Sequence, residues 1–157
     1  MATRTRVIVY GGVTAALYVV LTIGLAPLSY GPLQFRVSEI LKPLALFHPV
    51  FAITFGVGNG LANLMSPFGP WDFIGMAFVD AGAAWLCWAL RRVPWLALSI
   101  QATMISVGVA VLPLHFGGGI PIWPTVAFVW IPEMALILGA YYLGWRKYGP
   151  DLLRQRE

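Results

Sequence analysis

This sequence is short of charge. Of its 157 residues, ten are Lys or Arg and six are Asp or Glu, so charged residues make up 10% against 59% hydrophobic. A soluble domain carries about 25% charged residues, and so thin a coat cannot keep a chain of this size in water. An ordinary cytosolic enzyme is excluded, as is a disordered chain, which needs low hydrophobicity and high net charge. Cysteine is nearly missing: Cys87 stands alone, which excludes a disulfide scaffold and any Cys-x-x-Cys site. His48 and His115 are far apart and form no His-x-x-x-His pair, so no metal is expected. There is no Gly-x-Ser-x-Gly elbow. The glycine-rich Phe55-Gly56-Val57-Gly58-Asn59-Gly60 lacks the Lys-Ser/Thr ending of a P-loop and lies inside an apolar run. The reading is therefore no enzyme, no cofactor and no nucleotide hydrolysis by this chain. The net charge of +4 would suggest nucleic acid in a soluble protein. Here the basic residues cluster at the ends of apolar segments, which points to lipid headgroups instead.

What is present is apolar sequence in lengths near the ~20 residues that cross a bilayer. About six segments are read, over residues 7–26, 37–47, 49–65, 71–90, 94–113 and 125–143, joined where Pro and Gly gather. The expected fold is an all-α membrane protein, a single six-transmembrane-helix bundle over residues 1–157. The second segment is short: either it is tilted and partly sheltered, or it runs on into the third with a break at His48-Pro49. Residues 114–124, with three glycines and two prolines, cannot form a simple helix. Arg4 and Arg6, Arg91 and Arg92, and Arg146, Lys147, Arg154 and Arg156 fall on one side of an even number of spans, leaving Arg36 for the other. Basic loops mark the cytoplasmic side, so both termini are expected inside the cell membrane. The first span is read as a retained helix, because its apolar stretch is long for a signal peptide and Pro27 spoils a small-residue cleavage site.

Ionisable and amide groups inside spans are costly, and each is a functional candidate. Gln34, Arg36 and Glu39 enter the second segment, with Lys42 continuing steps of three. That spacing suits an ion-pair ladder, or an Arg36 that orients Glu39 toward a solute. Asn59 and Asn63, four apart, either bond between helices or meet a heterocycle edge with their amide donors and acceptor. Asp72 opens the fourth span as a helix-N-terminal carboxylate or a ligand. Asp80 lies about 12 Å deeper at ~1.5 Å per residue, without a basic neighbour on its own helix, and so needs a proton or a partner. Glu133 follows Pro132, with Trp130 three residues before it. A ring and a carboxylate on one face suit a cationic or amide-edged heterocycle, although a belt Trp and a helix-pairing Glu fit as well. Gln101, Thr103 and Ser106 give the fifth span a polar side. Gly12, Ala15 and Ala16 on the first span permit close helix approach, for internal packing or for a partner subunit. These residues suit a solute-binding subunit with an outward-facing cavity. A structural or assembly subunit, whose polar groups only pair helices, is the competitor.

The run Tyr30-Gly31-Pro32-Leu33-Gln34-Phe35-Arg36-Val37-Ser38-Glu39, with Gly60-Leu61-Ala62-Asn63, Ser66-Pro67-Phe68-Gly69 and Asp72, resembles the QueT family. Gly139 and Glu133 fit more loosely. The resemblance implies a substrate-binding S component of an energy-coupling factor transporter: a six-helix bundle whose cavity is closed by the loop after the first span. It implies as partners a transmembrane coupling protein and two ATPases, docked through small residues such as Gly12, Ala15 and Ala16. The implied substrate is a queuosine precursor, typically 7-aminomethyl-7-deazaguanine, with queuine or another vitamin-like heterocycle as the alternative. Asp80 and Gln101 depart from the family's usual residues, small or hydroxyl and Asn respectively.

Overall fold

A computed structural model describes residues 2–31 and 34–153. Pro32 and Leu33 of the motif above, and Arg154 and Arg156 among the topological charges, lie outside the described residues. Every regular element described is helical: α1 (Ala2–Gly24), α2 (Ala26–Ser29), a 3-10 helix (Val37–Leu46), α3 (Val50–Asn63), α4 (Met76–Ala89), α5 (Pro94–Val109), α6 (Ile122–Ala140) and α7 (Arg146–Leu153). Wide π-helical turns precede α4 (Trp71–Gly75), follow α5 (Ala110–Gly117) and follow α6 (Tyr141–Trp145). Four helical runs are long and apolar enough to cross a membrane: Arg4–Gly24, Trp71–Ala89, Pro94–Gly117 and Ile122–Pro150. α3 is apolar but shorter.

The helices are amphipathic in the sense opposite to a soluble protein. Along α1, Thr14, Tyr18 and Thr22 are buried while Ile8, Val9, Val13, Leu17 and Val20 are exposed. Lipid is as apolar as leucine, so exposing these side chains to it costs nothing, and the interior is free to hold small and polar groups. Alternate glycines let α3 sit between two neighbours. A Cβ on Gly58 would stand 3.5 Å from Cα of Ala15 on α1, and one on Gly56 would stand 3.0 Å from the Ala77 carbonyl oxygen and from Cβ of Ala81 on α4. Gly56→Val therefore forces α3 and α4 apart and should lower the stability by about 2 kcal/mol. Gly12→Val, whose Cβ would meet nothing within 4 Å, should leave the thermal unfolding midpoint in detergent unchanged. Equal midpoints for the two variants would refute the packing argument.

The second expected span is the 3-10 helix, and it is sheltered far more than expected. It touches α1, α3, α4, α5 and α6, and eight of its ten residues are buried. Its polar sequence is tolerated because protein rather than lipid surrounds it. The 3-10 rise of about 2.0 Å per residue carries ten residues roughly 20 Å, a third further than an α-helix of that length. The chain breaks at Phe47–Pro49, and α3 begins at Val50. Residues 114–124 form no simple helix, as expected, but the fifth span runs past its expected end at residue 113. Helix continues through Pro113 to Gly117, because the wide turns accommodate a residue with no N–H to donate. The chain then reverses at Gly119, at φ +68°.

Facing pairs give the direction of each segment. Gly11 meets Thr54, so α1 and α3 run parallel; Gly60 meets Phe73 and Gly108 meets Val79, so α3–α4 and α4–α5 run antiparallel. Arg4, Arg6, Arg91, Arg92, Arg146 and Lys147 consequently gather at one end of the bundle, here the basic end. Residues 64–70 and 118–121 lie together at the other, the loop end, where Gly117 and Gly118 pack on Phe68.

Candidate functional site

The four acidic side chains described, Glu39, Asp72, Asp80 and Glu133, are all at most 1% exposed. Burial of so many carboxylates is expensive unless each finds a partner. They converge on the 3-10 helix, whose geometry eclipses residues three apart and so puts Glu39 and Lys42 on one line, with Arg36 at the extended N-cap position just before it.

Nearest the loop end, Arg36 is the hub. It donates to Asn59 Oδ1 and to Gln34 Oε1, each at 3.1 Å, and stands 3.7 Å from Asp72 Oδ1. Asn63 donates from Nδ2 to Asn59 Oδ1 at 2.6 Å and to Asp72 Oδ1 at 2.8 Å, and the Ser66 hydroxyl donates to Asp72 Oδ2. The four-residue step from Asn59 to Asn63 places both amides on one face of α3, and the π-helical turn before α4 brings Asp72 to meet them. Gln34 holds a left-handed backbone, φ +48°, which costs a residue with a Cβ roughly 1–2 kcal/mol. The bond from Arg36 to its side chain helps hold it there. Arg36 therefore turns to Asp72 and the amides rather than orienting Glu39.

Deeper, Lys42 is the hub. Its ammonium bonds Asp80 Oδ2 and lies 3.6 Å from Glu39 Oε2, over the rings of Tyr18 and Phe55 at 5.1 Å each. Tyr18 donates its hydroxyl to Glu39 Oε1 at 2.6 Å. Asp80 thus finds the partner its own helix lacked, on the neighbouring 3-10 helix. Glu133 on α6 is close enough to feel the charges of Glu39, Lys42, Arg36 and Asp80.

This network is not closed upon itself. Buried polar atoms left without a hydrogen-bond partner include Gln34 Nε2, Arg36 Nε, Glu39 Oε2, Asn63 Oδ1, Asp80 Oδ1, Glu133 Oε2 and both side-chain polar atoms of Gln101. Nearly all buried polar groups in folded proteins are paired, so this concentration at one place marks a locus built for something more. The charges lean the same way: the buried groups hold two cations, Arg36 and Lys42, against four carboxylates. Apolar grooves of about 590 and 500 Å³ lie elsewhere, on the lipid-facing flanks of α4–α5 and α3–α4.

Of the residues singled out by sequence, Gln34, Arg36, Glu39, Asn59, Asn63, Asp72, Asp80 and Glu133 come together. Trp130 does not. It is 38% exposed, and its indole N–H reaches Thr103 Oγ1 at 3.0 Å on the lipid side. Three residues turn an α-helix through about 300°, a net 60° between the two side chains, so the ring sits at the lipid edge of the face whose inner side buries Glu133. The small-residue face also splits. Ala15 packs inward on Gly58, whereas Gly12 and Ala16 are exposed. Sequence reasoning missed Tyr18, since an aromatic residue in a span reads as packing. Gln101, 0% exposed on α5, was legible as part of a polar side and as a departure from the family's usual Asn, not as a site residue.

The family model described as the QueT transporter matches residues 8–145. A curated relative, the "Queuosine precursor transporter QueT" of Lactococcus lactis subsp. cremoris (strain MG1363), is 45% identical over 65 residues. That match covers 40% of this chain and spans 38% of the relative's length. No solved structure matches the chain.

Proposed function

Because this chain belongs to the QueT transporter family, a family of transporters and not of enzymes, we propose that it is the substrate-binding membrane subunit of an energy-coupling factor transporter for a queuosine precursor, 7-aminomethyl-7-deazaguanine. The observation that carries this reading is the buried cluster of partnerless donors and acceptors with its surplus of carboxylates. A 7-aminomethyl-7-deazaguanine brings what such a cluster lacks: N–H donors and a carbonyl on a flat ring, and an ammonium on the arm. Buried carboxylates accept two adjacent N–H groups in bidentate fashion, and a cation offsets the negative surplus. Named for the relative, a queuosine precursor is the substrate class the comparison supports.

In the membrane the single domain makes six passes, the 3-10 helix and α3 being the short ones. Apart from the buried Arg36 and Lys42, the Lys and Arg residues named above gather at one end, which supports a cytoplasmic position for both termini. The cavity then opens outward, between the loop after α1 and residues 64–70. In this reading the energy is supplied by a coupling protein and two ATPases. Gly12 and Ala16, exposed on α1, are the part of the small-residue face open to such a partner.

Titration calorimetry of the purified protein without ATP should give saturable heat with 7-aminomethyl-7-deazaguanine. No heat, and no competition by any deazaguanine, refutes the substrate. Mass spectrometry of the co-purified small molecule separates this ligand from queuine or an unrelated heterocycle. Trp130→Phe should leave the affinity within about twofold, since the ring faces lipid; a tenfold loss would return it to the site.

A further inference from the structure

The amide Gln101 and the carboxylate Glu133 share two properties found in few buried pairs. Both are at most 1% exposed, and both carry polar side-chain atoms with no hydrogen-bond partner: Nε2 and Oε1 of Gln101, and Oε2 of Glu133. They also lie at one depth. The bond from Trp130 Nε1 to Thr103 Oγ1 ties α5 to α6. From that tie, Gln101 is two residues and Glu133 three residues further toward the basic end, about 3 and 4.5 Å along antiparallel helices at ~1.5 Å per residue. Thr103 and Trp130 face lipid while Gln101 and Glu133 are buried, so the latter pair occupies the inner sides of the two helices.

We propose that Gln101 and Glu133 read the 2-amino-lactam edge of the deazaguanine ring, leaving the aminomethyl ammonium to Glu39 and Asp80. The inference rests on the substrate reading above and adds an orientation and a specificity residue, Gln101. The edge presents two N–H donors side by side and a carbonyl oxygen. A carboxylate accepts both N–H groups, which suits Glu133, the one described buried carboxylate that no ion pair engages. A primary amide donates to the carbonyl, which suits Gln101 Nε2. At the other end, Glu39 and Asp80 flank Lys42, and Glu39 Oε2, 3.6 Å from its ammonium, and Asp80 Oδ1 make no hydrogen bond. That pair sets two carboxylates against the single Lys42 ammonium, so a second alkylammonium balances the remaining charge. In the reverse orientation the ammonium would face the Gln101 amide N–H groups, and the second carboxylate beside Lys42 would have no cation to balance it.

Calorimetric titration of the full chain with two ligands tests the assignment: 7-aminomethyl-7-deazaguanine and its analogue lacking the 2-amino group. A charge-assisted hydrogen bond corresponds to about a tenfold or larger change in affinity, so the wild type should bind the analogue at least about tenfold more weakly. Glu133→Gln should weaken the parent ligand and bring the two affinities close to equality. Gln101→Leu should weaken 7-aminomethyl- and 7-cyano-7-deazaguanine by similar factors, because the two share the ring edge and differ in the arm. An unchanged ligand ratio in Glu133→Gln, or Gln101→Leu affinities within twofold of wild type, overturns the assignment. Should either variant fail to fold, the wild type alone decides: equal affinity for parent and analogue overturns it. A wild type that binds no deazaguanine removes the substrate reading itself, whereas binding with unaltered ratios removes only the orientation.

Discussion

Lys42→Met should cost the protein more stability than any other single change considered, and Asp80→Asn in the same chain should return most of it. The Lys42 ammonium is fully buried between Asp80 and Glu39. Neither carboxylate has a described alternative cation within ion-pair distance, and lipid surrounds the bundle. Removing one partner of a buried ion pair leaves an uncompensated charge and costs about 3–5 kcal/mol, whereas neutralising both partners is often nearly neutral. Thermal unfolding in detergent of the wild type, both single variants and the double variant forms a complete cycle. A strong favourable coupling between positions 42 and 80 is expected, since the two groups are in direct contact. If Lys42→Met melts within a degree or two of wild type, the deep cluster is not held by this pair.

The second large effect is on binding. Arg36→Gln should weaken ligand affinity by about tenfold, because it removes the two charge-assisted hydrogen bonds that hold the loop-end wall in its binding geometry. Arg36 bonds Asn59 and Gln34 and faces Asp72. Without it, Gln34 loses an anchor for its left-handed backbone, and the segment that leads into the 3-10 helix relaxes. The loop-end wall of the cluster is then no longer preorganised. Combining Arg36→Gln with Asp72→Asn removes the unpaired carboxylate and should restore the unfolding midpoint without restoring affinity. That separation distinguishes a binding role from a purely structural one. An affinity within threefold of wild type in Arg36→Gln would place the binding wall elsewhere.

The helices α4, α5 and α6 were legible because long apolar runs bounded by Pro, Gly and Arg leave a chain little choice in a bilayer. The residues of the cluster were legible for a related reason: ionisable groups are so costly in lipid that each one announces itself. Their pairing was not. Asp80 and Lys42 are 38 residues apart, and nothing in either neighbourhood specifies the other. The 3-10 geometry was equally hidden. Steps of three fit a ladder along an α-helix as well as one eclipsed row, and only the surrounding helices, which bury the segment on nearly every side, sustain so long a run of weak i→i+3 bonds. Trp130 was misplaced because helical periodicity gives the angle between two residues without saying which of them meets lipid.

By itself, the sequence determined that this protein is helical, membrane-embedded and a member of a transporter family, and which of its polar residues are too costly to be idle. Tertiary structure alone decided that Lys42 answers Asp80 and Glu39, that Arg36 answers Asp72, and that Gln101 and Glu133 stand without a described hydrogen-bond partner at one depth. Hydropathy is a property of each residue in its solvent and can be read along the chain. A hydrogen bond or ion pair depends on two atoms within a few ångströms, a distance that exists only once the helices have packed.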